Sequence, residues 1–434
     1  MERLSMKIRK SQINSFLGLI VVLFSILFSK TVYFGIINRT TYQYVYYGIV
    51  IAMAVFCGLE MKKLKMGIII SFPLIFLMII NIVINKNDMT SSNVNLVIGN
   101  CLYVASAMLI AVCLNKRQFV SWYIRIMEIM CIVSLPCWLI TIINPDLALS
   151  FCQTGYNWRV RYGYSPFYTW GWNGIIFQRN SGMFWESGAF QRFILLALLM
   201  LLFNADNGEV KNRRIMLILL AGTLITTQAT TGYILLMILV LGCWTRIRNL
   251  IGTHNRNLRK VLTVLLGIGV CYIIISSDNI STKFSTDNIS FGIRFFDIFG
   301  GIAMCVKGEL FELGETTIRD AARIVLGINS DDSAVLLAMT DTYGLLFGVY
   351  YIGLMCRGIT KFFGNINAIE CIVLVMTFLV LHMTEGLWCL PIYLIIPLMG
   401  IISRGGVPLS RLIHWLKEDK LVHLPLALVQ GANV

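Results

Sequence analysis

Long apolar runs, separated by short clusters of polar and charged residues, make up most of the chain. A bilayer core about 30 Å thick takes roughly 20 apolar helical residues to cross. Applied to the runs, that length predicts about twelve spans, near 15–37, 43–59, 66–85, 94–114, 122–144, 187–204, 214–228, 231–245, 261–277, 333–355, 367–383 and 386–403. Two stretches, 145–187 and 278–331, are too long and too polar to be simple connections. The predicted fold class is all-α: a polytopic transmembrane helical protein, one domain over residues 1–434, with short helices inside its two long loops. The tail at 404–434 carries an amphipathic stretch, Leu409 to Leu421, with Trp415 and basic residues suited to a membrane surface.

Composition removes the water-soluble alternative. Hydrophobic residues make up 57% of the chain and charged residues 13%, and mean hydropathy is +0.76, whereas a soluble domain carries charge on roughly a quarter of its residues. A net charge of +14 would suggest nucleic acid if it were clustered on a soluble surface. Here the basic residues are spread over connections, so no nucleic-acid partner is expected. They gather on alternate connections, from Arg3, Lys7, Arg9 and Lys10 through Lys62, Lys63 and Lys65 to Arg246, Arg248, Arg357 and Arg404, and those connections hold most of the 36 basic residues. Basic residues collect on the cytoplasmic side of short loops. The pattern therefore predicts both termini in the cytoplasm and both long loops outside. The basic start of the chain is followed by no small-residue cleavage site, so the first apolar run reads as a retained helix. The 12 cysteines show no CxxC pair, and only Cys152 and Cys305 lie well inside the long loops, so neither a disulfide framework nor a metal site is expected.

The loop at 145–187 is aromatic and basic together. Arg159, Arg161 and Arg179 carry planar guanidinium forks that match phosphate oxygens, and Tyr162, Tyr164, Tyr168, Trp170 and Trp172 suit either sugar stacking or an interfacial aromatic belt. Arg179 and Glu186 flank the point where the chain returns to the membrane, and Arg192 follows within the next apolar run. An ionisable group at that depth is costly and reads by default as functional, with a structural Glu186–Arg192 contact as the alternative. In the second loop Arg294 lies in FGIRFFD beside Asp297, and Arg319 and Arg323 are four apart, on one face if the segment is helical. That pair suits either a diphosphate clamp or pairing with Asp320 and Glu315. His382 and Glu385, in HMTEGLW, suit either proton transfer or helix capping. No P-loop, GxSxG, HExxH or dinucleotide fingerprint occurs.

Three stretches together resemble the O-antigen polymerase/ligase family of bacterial membrane glycosyltransferases: RNSGMFWESGAFQRF at 179–193, TTQATTGY at 226–233, and Arg294 followed by GINSDDSAVLLAMTDTYGLLFGVYYIG at 327–353. The resemblance covers about residues 90–400. It implies transfer of glycan from an undecaprenyl-diphosphate-linked donor at the periplasmic face of the inner membrane, with no metal, cofactor or nucleotide sugar. It implies as partners that lipid-linked oligosaccharide, membrane lipid and a chain-length regulator protein. By the same resemblance Arg179 and Arg294, then Arg159, Arg161, Arg319 and Arg323, hold the diphosphate; Trp170 and Trp172, by their aromatic faces, are the candidates to bind the glycan. Glu186, His382, Glu385 and Asp297 are the candidate bases. Ligases of the family resemble one another in a functional His in the second large loop; residues 278–331 contain none, which favours polymerase over ligase. A transporter or flippase of lipid-linked oligosaccharide is the alternative of a different class, but the paired halves it would want are not evident.

Overall fold

The computed structural model describes residues 2–29, 31–33, 39–84, 91–156, 161–204, 212–251, 343–383 and 390–403. The expected span 261–277, the loop 278–331 and the tail 404–434 lie outside the described residues. So do Arg159, Arg294, Asp297, Arg319, Arg323 and Glu385. Of the described residues, 80% are helical.

Thirteen helices are described: α1 Glu2–Leu27, α2 Arg39–Cys57, α3 Met61–Ile84, α4 Ser91–Cys113, α5 Lys116–Ile143, α6 Pro145–Ser150, α7 Ser187–Phe203, α8 Arg213–Thr226, α9 Thr230–Gly242, α10 Trp244–Ile251, α11 Leu345–Phe363, α12 Ala368–Met383 and α13 Pro391–Ile402. Four are long and apolar enough to cross a membrane, or five if α9 and α10, bent by 82° at their junction, count as one span. Twelve full-length spans are not present among the described residues. α7 and α13, of 17 and 12 residues, are shorter and almost entirely buried within the protein. The outer helices show the opposite pattern. Only 33% of the apolar window of α3 is buried inside the protein, and Ile68, Phe72, Phe76 and Ile79 face outward. So much exposed apolar surface suits lipid and not water.

Small residues set the tightest helix crossing. A Cβ on Gly358 would fall 2.4 Å from the Pro397 Cα, and one on Gly400 would fall 2.1 Å from the Gly358 carbonyl oxygen, so α11 and α13 touch backbone to backbone. Of the helix expected at 333–355, residues 333–342 lie outside the described residues; α11 starts at Leu345, after Gly344 at φ +86°, and runs to Phe363. A hydropathy window stops at Arg357 and Lys361, yet Phe362 and Phe363 beyond them are buried, Phe363 against Phe203 at 5.4 Å.

The first long loop also departs from expectation. After the six-residue α6 it forms a four-stranded antiparallel sheet in the order β1 Gln153–Tyr156, β2 Arg161–Ser165, β3 Tyr168–Trp172, β4 Ile175–Ile176. The β3–β4 turn is Asn173–Gly174, both with positive φ (47° and 82°), the pair that a two-residue hairpin favours. Gly171 is required beside it, because a Cβ there would lie 1.8 Å from the Ile175 carbonyl oxygen. The described residues are thus mostly helical, compatible with the expected all-α membrane fold, and the first long loop adds a small sheet to it.

Candidate functional site

The chain leaving the sheet descends along α5. Trp138 Nε1 donates to the Gln178 carbonyl at 3.0 Å, and two residues on, Asn180 Nδ2 donates to Ser134 Oγ at 3.2 Å. Ser134 lies nine residues before the end of α5, about 14 Å along the helix. Asn180 thus enters the bundle as a fully buried plug. Its other Nδ2 hydrogen reaches Thr226 Oγ1 at 3.0 Å, its backbone N–H donates to the Thr226 carbonyl at 3.0 Å, and its Oδ1 accepts from Gly182 N at 3.1 Å. Every polar atom of the amide is therefore used, as burial requires.

Neighbouring residues fix the turn to the loop sheet and to the segment after α1. Ser181 Oγ donates to the Thr169 carbonyl at 2.7 Å, and Thr169 N–H donates to the Gly182 carbonyl at 2.7 Å. Gly182 has φ +53°, with the Phe190 ring where its Cβ would be. Val32 N–H donates to the Met183 carbonyl at 3.1 Å, and Thr31 pairs with Phe184 as an antiparallel bridge.

On the other side stands the α8–α9 connection, where Tyr233 Oη donates to the Ile225 carbonyl at 2.8 Å and Gln228 takes φ +49°. A Cβ on Gly232 would lie 2.0 Å from Gln191 Oε1, so α9 and α7 meet closely there. Half-buried Arg179 lies within electrostatic reach of Tyr233. Residues 178–193 and 226–233 thus form one contact region.

Beneath this region lie buried polar groups. Gln191 is 1% exposed, Arg192 2% and His382 2%, and Arg192 is within electrostatic reach of His382. The His382 ring lies among Tyr351, Phe378 and Tyr393, with Tyr393 edge-on at 5.5 Å. Its Nδ1 is 2.7 Å from the Phe378 carbonyl oxygen. A carbonyl only accepts, so Nδ1 carries the proton and Nε2 keeps its lone pair. Among the described residues Nε2 has no hydrogen-bond partner. Glu186, half-buried, directly precedes α7, and its carboxylate makes no capping bond to the first turn.

The remaining expected residues are placed differently. Trp170, 2% exposed, is not open for stacking on a sugar: it packs edge-on to Tyr168 at 4.8 Å, in a loop core that includes Ala148 and part of α5. Burial raises the Tyr168 phenol above its ordinary pKa and pushes the nearby Cys152 thiol up to about 11. For Trp172 only the backbone is described, paired with Tyr162 and Ile175. Arg161 is exposed at the start of β2, its backbone N–H donating to Asn173 Oδ1 at 2.9 Å. The residue that sequence reasoning passed over is Asn180. Its only signal was that a small polar residue follows Arg179.

A cavity of about 870 Å³ lies at the opposite end of the bundle, where α7 ends and α8 and α12 begin. Arg213, Arg214 and Arg246 line it together with Glu370, which Arg246 binds through two hydrogen bonds of 2.7 and 3.0 Å. The chain is thus a mostly helical protein with four or five candidate membrane spans, a bonded polar region at its loop end and a basic cavity at the other. No protein-family model matches it, and neither a curated protein nor a solved structure gives a match.

Proposed function

We propose that this chain is a polytopic glycosyltransferase of the O-antigen polymerase kind. It joins undecaprenyl-diphosphate-linked repeat units at the periplasmic face of the bacterial inner membrane, with both termini cytoplasmic. The observation that supports this reading is that two of the stretches carrying the family resemblance are bonded to each other. Asn180 and Thr226, 46 residues apart, share a side-chain hydrogen bond, and Arg179 stands beside that contact.

In the proposed reaction an acceptor sugar hydroxyl attacks the anomeric carbon of the donor. The new carbon–oxygen bond forms as the bond to the lipid diphosphate breaks, and the diphosphate leaves with the electron pair. Guanidinium groups stabilise that developing charge; Arg179 and Arg294 are assigned first, with Arg159, Arg161, Arg319 and Arg323 in support. The hydroxyl proton passes to a base among Glu186, His382, Glu385 and Asp297. Of these, His382 has a defined acceptor atom in Nε2. Trp170 supports the loop core and takes no part in sugar stacking.

The test is the length distribution of surface polysaccharide on a gel, for Arg179→Ala and Arg294→Ala at equal protein level. Loss of the multi-repeat ladder with a single repeat still delivered is the expected result. Loss of even the single repeat points instead to a ligase or a flippase, and an unchanged ladder in both variants removes these arginines from the site.

A further inference from the structure

The outward face of α5 shows how deep its two ends lie in a bilayer. Arg125, Ile129, Ile132, Pro136, Leu139 and Ile143 are all exposed and follow one another at intervals of three or four residues, so they form one stripe. Beyond Arg125 the stripe is apolar, on a helix long and apolar enough to cross a membrane, and such a surface suits lipid. A guanidinium in the hydrocarbon core is costly, and its long stem lets it reach the headgroups instead. Arg125 therefore marks one face of the bilayer. Ile143 lies about 27 Å further along the helix, close to the opposite edge of a core about 30 Å thick. α6 begins at Pro145, just past that point.

A helix at that boundary meets protein, water and acyl chains, and α6 has a face for each. Ala148, fully buried, packs with Tyr168 and Trp170 in the loop core. Asp146 and Ser150, four residues apart and both exposed, share a polar face. Leu147 and Phe151, also four apart, share an apolar face and are 44% and 53% exposed; Phe151 keeps helical backbone as the C-cap. This apolar face follows directly on Ile143, 79% exposed at the end of the lipid-facing stripe. A helix turned only to water and the loop core would gain nothing from it.

We infer that α6 is an interfacial helix: Leu147 and Phe151 lie among the acyl chains at the edge of the leaflet on the loop side, and through Ala148 the helix moors the four-stranded sheet to the membrane surface. Amphipathic helices hold to a bilayer in this way, by the apolar area they bury at the boundary between headgroups and acyl chains.

The test uses the full chain in nanodiscs of phosphatidylcholine. A photoreactive benzophenone side chain replaces Leu147, Phe151, Asp146 or Ile129 in turn, all of them exposed positions, and mass spectrometry after irradiation reads the yield of lipid adduct. Ile129, within the stripe of α5, is the reference for full lipid contact. The probes at Leu147 and Phe151 are expected to give yields within about twofold of the reference, and the probe at Asp146 about fivefold less. Lipid adduct at neither Leu147 nor Phe151, with the reference still labelled, would overturn the inference and place α6 in water. Cross-links from both positions to a second copy of the chain in place of lipid would overturn it as well. So would a yield at Asp146 equal to that at Phe151, since the helix would then have no face toward water.

Discussion

At the loop end of the bundle Asn180 is fully buried and each polar atom of its side chain is bonded. At the other end exposed Arg214 and half-buried Arg213 line an open cavity. The first arrangement holds three parts of the chain in one place: the loop, α5 and the α8–α9 connection. The second sets charged groups around an open cavity. Polar residues in an apolar protein thus serve two different ends. When satisfied internally they fix geometry, because a buried unpaired amide is costly; around an open cavity they set its charge.

The most direct way to break this comparison is Asn180→Ala. It strands Ser134 and Thr226 and should destabilise the protein by about 3 kcal/mol in unfolding from mixed micelles. A loss below about 1 kcal/mol would mean that the plug does not hold the region together. Thr226→Val, combined with it, sharpens the point: the pair should couple by about 1 kcal/mol in a double-mutant cycle, and strict additivity would deny the bond its role. At the opposite end Arg246→Ala leaves the buried Glu370 carboxylate without its partner, with an expected loss of about 2 kcal/mol by the same measurement. Arg214→Gln, exposed on the cavity rim, should change unfolding by less than about 0.5 kcal/mol. If it costs as much as Asn180→Ala, the two ends are not built differently.

A chemical prediction tests the loop core apart from stability. Because burial pushes the Cys152 thiol up to about 11, it stays protonated at neutral pH and reacts through a thiolate that grows only as pH climbs toward that value. Maleimide labelling at Cys152 at pH 8 should be about 100-fold slower than that of a free thiol. Labelling at the ordinary rate would show that the sheet and its Trp170 core open readily. Gly171→Ala, which sets a Cβ against the Ile175 carbonyl, should raise that rate toward the ordinary one.

Several features could be read directly from sequence. The apolar runs located most helices, because an apolar helix in lipid satisfies its own backbone bonds and needs no partner to be recognised. The Asn173–Gly174 hairpin was equally legible, since both residues tolerate positive φ, yet it was missed inside a loop expected to be helical. Arg179, Glu186 and His382 stood out as ionisable groups at the edges of apolar runs.

The sequence by itself determined that this chain is helical and apolar, and which charged residues are out of place in it, because hydropathy and charge are properties of single residues and their neighbours. Tertiary structure alone decided that α7 and α13 are central, that Trp170 is core, that Phe362 and Phe363 extend α11 past two cations, and that Asn180 joins residues 178–193 to residues 226–233. Each of these depends on what a side chain meets across the bundle, and such meetings leave no periodic trace along the chain.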